Sequence, residues 1–157
     1  VTEIRRLTPE DAGLWRDIRL EALALEPEQF SSRHADWADR PLADFAARLE
    51  AAPVWAVIEA GRAVAVASLS ADADGAPCGW VEAVYVRPAA RGRGLAQAAL
   101  AAVEAEARAQ GLAELRLEVR AANAAARGLY QRLGFRQEGD RARRTCGLCE
   151  VGMAKPL

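Results

Sequence analysis

Lysine is almost missing from this 157-residue chain. Lys155 is the only one, so nearly every cation is an arginine. That scarcity excludes a Walker-type phosphate loop, which needs Gly-Lys followed by Ser or Thr. Histidine occurs once, at His34, and cysteine three times, at Cys78, Cys146 and Cys149. One distant histidine cannot complete a zinc site around Cys146-Gly147-Leu148-Cys149, and no metal is expected. A thioredoxin-like role would need a helix start at that pair, whereas a hairpin turn is expected there. An odd cysteine count is not a secreted disulfide framework. No apolar run approaches the roughly 18 residues of a membrane span. The first six residues lack the apolar core of a signal peptide. Cytoplasmic residence without membrane contact is therefore the expectation. A net charge of −1 provides no field to favour nucleic acid, and no nucleic-acid partner is expected.

What is present is an ordinary globular balance, 52% apolar and 27% charged, which fits a single domain over residues 1–157. Alternation over residues 3–7 starts a strand. Thr8-Pro9-Glu10-Asp11 then carries the marks of a helix N-terminus, with apolar residues at helical spacing from Leu14 to Leu25. Pro27 stops that helix. A polar connection over 26–40 holds Phe30, His34 and Trp37, and a second helix covers 41–50. Residues 54–59 and 62–69 form a hairpin across Ala60-Gly61. A loop at 72–77 leads to a fourth strand and a long Ala-rich helix reaching about Gln110. Leu115–Val119 alternates, Asn123 caps a short helix that Gly134 ends, and the tail reads as two strands joined by a turn at 140–147. The order β α α β β β α β α β β implies one sheet with helices on both faces.

The stretch Trp80–Ala96 organises the rest. A strand enters the loop Arg91-Gly92-Arg93-Gly94-Leu95-Ala96, which opens the long helix. Unpaired N–H groups and the helix dipole make such a start a place for an anion. A dinucleotide fingerprint is excluded, because the loop follows the fourth strand and lacks three glycines at the required spacing.

A second segment, Asn123-Ala124-Ala125-Ala126-Arg127-Gly128-Leu129-Tyr130-Gln131-Arg132-Leu133-Gly134-Phe135, lies some thirty residues on. With Val86-Arg87-Pro88-Ala89-Ala90-Arg91-Gly92-Arg93-Gly94-Leu95-Ala96 it resembles the paired motifs of the GNAT superfamily of N-acetyltransferases. The resemblance extends along the chain in element order and is loosest over the first fifty residues, which in that family shape the acceptor site. It implies an α/β (α+β) acyl-CoA N-acyltransferase (GNAT) fold: a mixed, mostly antiparallel sheet of six to seven strands flanked by helices on both faces.

The resemblance also implies a reaction, acetyl transfer from acetyl-CoA to a primary amine by direct attack in a ternary complex. The acceptor is a small molecule or a protein N-terminus, and a homodimer is compatible. Pyrophosphate would sit on Arg91, Gly92, Arg93, Gly94, Leu95 and Ala96. The pantetheine arm would run along Val84, Tyr85 and Val86, where the strand splays from Leu115–Val119, with Asn123 on the other side. Asn123 can equally be a helix cap, and both roles are compatible. A backbone N–H near Val84 would meet the developing oxyanion. Tyr130 stands at the family's general-acid position, although a tyrosine on an amphipathic helix more commonly serves the core.

Glu82 is the leading base, or a ligand for the acceptor's cation. Strand alternation places it on one face with Val84 and Val86 unless a bulge intervenes, and the family's commonest position holds Ala83 instead. Trp15, Phe30, Trp37 and Trp80 are pocket candidates, with core packing favoured for Trp15 and Trp80. Arg141, Arg143 and Arg144 fit either a solvated turn or contacts to the 3′-phosphate. Two alternatives stay open: a non-catalytic acyl-CoA sensor on the same fold, and an acyltransferase using another acyl group or an alcohol.

Overall fold

The computed structural model describes residues 2–30, 32–145 and 148–157; the side chains of 139–145, 148 and 149 also lie outside the description. Seven strands form one sheet in the order β1-β2-β3-β4-β5-β7-β6. They are β1 (Thr2–Arg6), β2 (Val54–Glu59), β3 (Arg62–Ala71), β4 (Cys78–Val86), β5 (Glu114–Arg120), β6 (Arg136–Thr145) and β7 (Leu148–Pro156). Every pairing is antiparallel except that of β4 with β5.

Five helices cover the sheet: α1 (Ala12–Leu25), the single turn α2 (His34–Trp37), α3 (Leu42–Ala51), α4 (Leu95–Ala109) and α5 (Ala124–Arg132). The expected element order holds. One difference is α2, a turn of helix inside the stretch read as a plain connection. The other is β6, which runs to Thr145 and so absorbs most of the expected 140–147 turn. Cys146 and Gly147 lie outside the described residues, as do the side chains of Cys149, Arg141, Arg143 and Arg144. No described helix is long and apolar enough to cross a membrane.

Two cores sandwich the sheet. On one face α1 and α3 bury Trp15, Ile18, Phe45 and Leu49 against Ala56, Val66 and Tyr85. On the other, α4 buries Leu95, Ala99, Leu100, Val103 and Ala107, a three-and-four spacing whose alanines let the helix lie close to β3 and β4. Tyr130 of α5 joins this second core beside Leu117 and Phe135.

The helix ends form as their residues require. Thr8 and Asp11 make a reciprocal capping box, the Thr8 N–H reaching Asp11 Oδ2 at 2.8 Å. A 3-10 turn at Pro9–Asp11 precedes α1, and Arg5 clamps Asp11 through two bonds of 2.7 and 2.9 Å. That guanidinium holds the Asp11 carboxyl down at about 2. Trp15 is buried as expected, but Trp80 is only partly so. It donates Nε1–H to Asp72 at 2.9 Å and fastens the 72–77 loop.

Candidate active site

The site begins where two strands part. β4 and β5 pair only over Cys78–Trp80 and Glu114–Arg116. Beyond Trp80 they diverge, and the V between them is a cleft of roughly 660 Å³. The cleft is lined by residues of the Arg91–Gln97 turn, by Val84–Val86 and Leu117–Val119, and by Glu82 and Phe30. The expected splay of the fourth strand is therefore present.

The backbone along the V is partly free. Arg87 donates its N–H to Val64 at 2.9 Å, which fixes the antiparallel alternation. Tyr85 then bonds back to β3, while Val84 and Val86 turn their polar groups toward the gap. The Val86 carbonyl accepts Nε–H of Arg91 at 3.0 Å. Tyr85 points its ring away, against Phe30, and its hydroxyl donates to Glu21 at 3.0 Å. Burial and that carboxylate push the Tyr85 hydroxyl up to about 12.

A bulge in β4 changes the expected geometry around Glu82. Val66 pairs with Tyr85 and Ser68 with Glu82, so Ala83 and Val84 together face Ala67. Ala83 takes φ +54, a left-handed conformation unusual for a side-chain-bearing residue. The extra residue inverts the alternation. Val84 and Val86 lie on the α4 face with Val81, whereas Glu82 joins Tyr85 on the α1 face. The expectation that Glu82, Val84 and Val86 share a face is thereby corrected. Glu82 still lines the cleft, exposed, with its own carbonyl accepting the Ser68 hydroxyl at 2.9 Å.

The glycine loop opens α4 at the mouth of the cleft. Gly92 and Gly94 take φ +79 and +74, and Gly94 is the N-cap of α4. This turns the first N–H groups of a 15-residue helix outward at the mouth of the cleft. Arg91, Gly92, Gly94, Leu95 and Ala96 line the cleft. Arg93 does not: its guanidinium forks onto Glu59, with Nη1 2.9 Å from Oε1. Arg91 also reaches back to Glu26 at 2.6 Å.

Asn123 and Tyr130 close the other wall. Asn123 caps α5, accepting the Ala126 N–H at 3.1 Å, and its amide donates to Gln29 Oε1 at 3.0 Å. Gly134, at φ +98, ends α5 in a left-handed cap in which the Phe135 N–H returns to Tyr130 O at 2.9 Å. That turn stacks the Phe135 ring edge-on to Tyr130, centroids 5.8 Å apart, and fixes the tyrosine ring. Tyr130 lines the cleft at 8% exposure, and burial pushes its hydroxyl up to about 12. Among the described residues the hydroxyl has no hydrogen-bond partner.

Some lining residues carried no sequence signal. Gln29 and Glu150 reach the cleft only because α1 is followed by a turn over the sheet and β7 lies beside β5. Arg120 is 8% exposed and pins that turn, donating to the Glu28 carbonyl at 2.5 Å and pairing with Glu150 at 2.6 Å. Arg87 does the same at the other end, holding Glu21 and Asp17 of α1 at 2.8 Å each.

A seven-stranded mixed sheet that opens between its only parallel pair, with a glycine-turned helix start at the opening, is the acyl-CoA N-acyltransferase (GNAT) fold. The sequence matches the acetyltransferase (GNAT) family over residues 16–135, and the chain belongs to that family. Solved structures agree in fold. A GNAT-family acetyltransferase from Streptococcus pneumoniae is 22% identical, with TM-score 0.85, covering 100% of this chain and 99% of that one. Ribosomal-protein-alanine N-acetyltransferase from Brucella melitensis is 24% identical, with TM-score 0.81 and 99% of each chain covered. An acetyltransferase candidate from Salmonella typhimurium, solved with its cofactor acetyl-CoA, is 26% identical, with TM-score 0.80 and coverage of 99% and 94%. No curated protein gives a significant match.

Proposed function

We propose that residues 1–157 act as one acetyl-CoA-dependent N-acetyltransferase unit that acetylates a primary amine by direct attack in a ternary complex. The observation that carries this reading is the β4–β5 gap, with free N–H groups at its mouth and an unengaged tyrosine hydroxyl on its wall. A long ligand, anionic at one end and amide-bearing along its length, suits that gap. Acetyl-CoA bound to the Salmonella relative supports the same choice.

The residues divide the work by position. The turn from Arg91 to Ala96 would hold pyrophosphate on backbone N–H groups, with Arg91 able to leave Glu26 for a phosphate. Val84 and Val86 would pair with the pantetheine amides as a neighbouring strand would. Asn123, which lines the cleft, caps α5 and bonds Gln29 with one N–H and one lone pair, and would hold the pantetheine arm with the hydrogen-bonding capacity that remains. The bound donor supplies a thioester whose carbonyl carbon forms a bond to the amine nitrogen while its bond to sulfur breaks. The freed N–H groups of the bulge at Ala83 and Val84 face the growing charge on that carbonyl oxygen. Glu82 takes the proton that the acceptor ammonium must lose, directly or through water. Tyr130 donates to the departing sulfur and is reprotonated from solvent.

Calorimetry with acetyl-CoA, followed by a free-thiol release screen across amines, tests the reading. Binding of acetyl-CoA together with amine-dependent thiol release is the expected result. Absence of binding to any CoA species would overturn it.

A further inference from the structure

Among the described residues three arginines are almost fully buried: Arg87, Arg120 and Arg19, at 6%, 8% and 9% exposure. Two of them are saturated. Arg87 donates to the Ala63 carbonyl and to two carboxylates, and Arg120 to the Glu28 carbonyl and Glu150. Arg19 differs. Among the described residues it has neither an ion pair nor a hydrogen bond, and its only close contact of that kind is the face of Phe30, whose centroid lies 5.0 Å from Cζ. An unpaired buried guanidinium is costly, and the usual remedy is a partner. Burial, with Arg48 nearby, pulls Arg19 down to about 10, against the attraction of Glu82.

The location is telling. Arg19 lies on the buried face of α1 with its guanidinium against the face of Phe30, one layer behind the cleft wall that Phe30 and Glu82 both line. The cleft's carboxylates are not equivalent either. Glu26 is held by Arg91 and Glu150 by Arg120, while Glu82 forms no ion pair among the described residues. Glu82 in the cleft wall and Arg19 behind Phe30 thus share one face of the sheet and attract each other, with no ion pair or hydrogen bond to either side chain among the described residues.

We propose that the acceptor is a zwitterion, a free amino acid with its ammonium at Glu82 and its carboxylate on Arg19. The inference rests on the acyl-transfer reading and specifies its substrate class. A carboxylate supplies Arg19 with the bidentate acceptor its planar fork matches. An internal lysine side chain or a protein N-terminus brings the ammonium without an adjacent carboxylate, and leaves Arg19 unpaired.

The test compares matched acceptors in the thiol-release assay with acetyl-CoA: leucine, leucinamide and 3-methylbutylamine, with parallel sets for aromatic, acidic and basic side chains. For at least one set, kcat/KM should favour the amino acid by about 10- to 100-fold, the worth of a charged hydrogen-bond pair. Arg19→Met should raise KM for that amino acid by the same factor, erase the preference over the amide and leave KM for acetyl-CoA unchanged. Arg19→Lys should restore part of it.

Equal or better use of the amides or decarboxylated amines overturns the proposal. So does Arg19→Met with the preference intact. If Arg19→Met fails to fold, the wild-type comparison and Arg19→Lys decide. Failure to bind acetyl-CoA removes the acyl-transfer reading itself. Binding of acetyl-CoA with no amino acid accepted removes this inference alone.

Discussion

Tyr130 shows how one environment can set both position and protonation. Burial raises its hydroxyl to about 12, so it stays protonated at any pH at which the enzyme is assayed. The pH–rate profile should then rise as the acceptor ammonium deprotonates and show no descending limb from Tyr130 below about pH 10. Tyr130→Phe keeps the ring contact with Phe135 and removes only the donor. It should lower kcat by about 100-fold while the Kd for acetyl-CoA, read by calorimetry, holds within about twofold. Arg87 is a structural counterpart. Arg87→Met removes the cation between Asp17 and Glu21, which keep partial solvent access, and should cost about 1–3 kcal/mol in urea denaturation.

Among the elements, the β4 bulge and the α4 start impose the strictest backbone demands. Ala83 at φ +54 already stores about 1 kcal/mol of strain. A β-branched residue tolerates that conformation less well, so Ala83→Val should destabilise by a further ~1–2 kcal/mol, shown by a lower urea midpoint, and lose activity beyond what stability explains. Gly94 poses a cleaner case. A Cβ added there meets no protein atom within 4 Å, so Gly94→Ala carries only the left-handed penalty of about 1 kcal/mol. The new methyl would stand where a bound phosphate must approach, and the Kd for acetyl-CoA should rise at least about tenfold.

At the start of α1, Asp11 titrates at about 2 in the fold, below its free value of 3.8. Its ionised form is favoured by folding, so its contribution is complete above about pH 4 and is lost as pH falls toward 2. Asp11→Asn should flatten that part of the acid-unfolding curve followed by circular dichroism.

For the whole molecule, the gap between β4 and β5 is a site that the native chain has and the unfolded chain lacks. Acetyl-CoA at one hundred times its Kd should therefore stabilise the fold by about 2.7 kcal/mol, a Tm rise of roughly 5–10 °C by scanning calorimetry. Pantetheine without the nucleotide should give clearly less, because it leaves the glycine loop empty.

The sequence on its own determined the element order, the capping of α1 and α5, the anion loop and the pairing of two motifs that identifies the family. These are local: a glycine spacing, a proline, an Asn before a helix and a period of 2 or 3.6 each act within a few residues. Tertiary structure alone decided which face of β4 Glu82 occupies. One bulge residue flips that parity, and its cause is the register against β3 rather than anything within Trp80–Val86. It also decided that Arg93 belongs to Glu59, and that Arg19, one arginine among many in the sequence, is buried with neither an ion pair nor a hydrogen bond among the described residues. Burial and ion pairing are properties of neighbours far apart in the chain, and only the closed sheet brings those neighbours together.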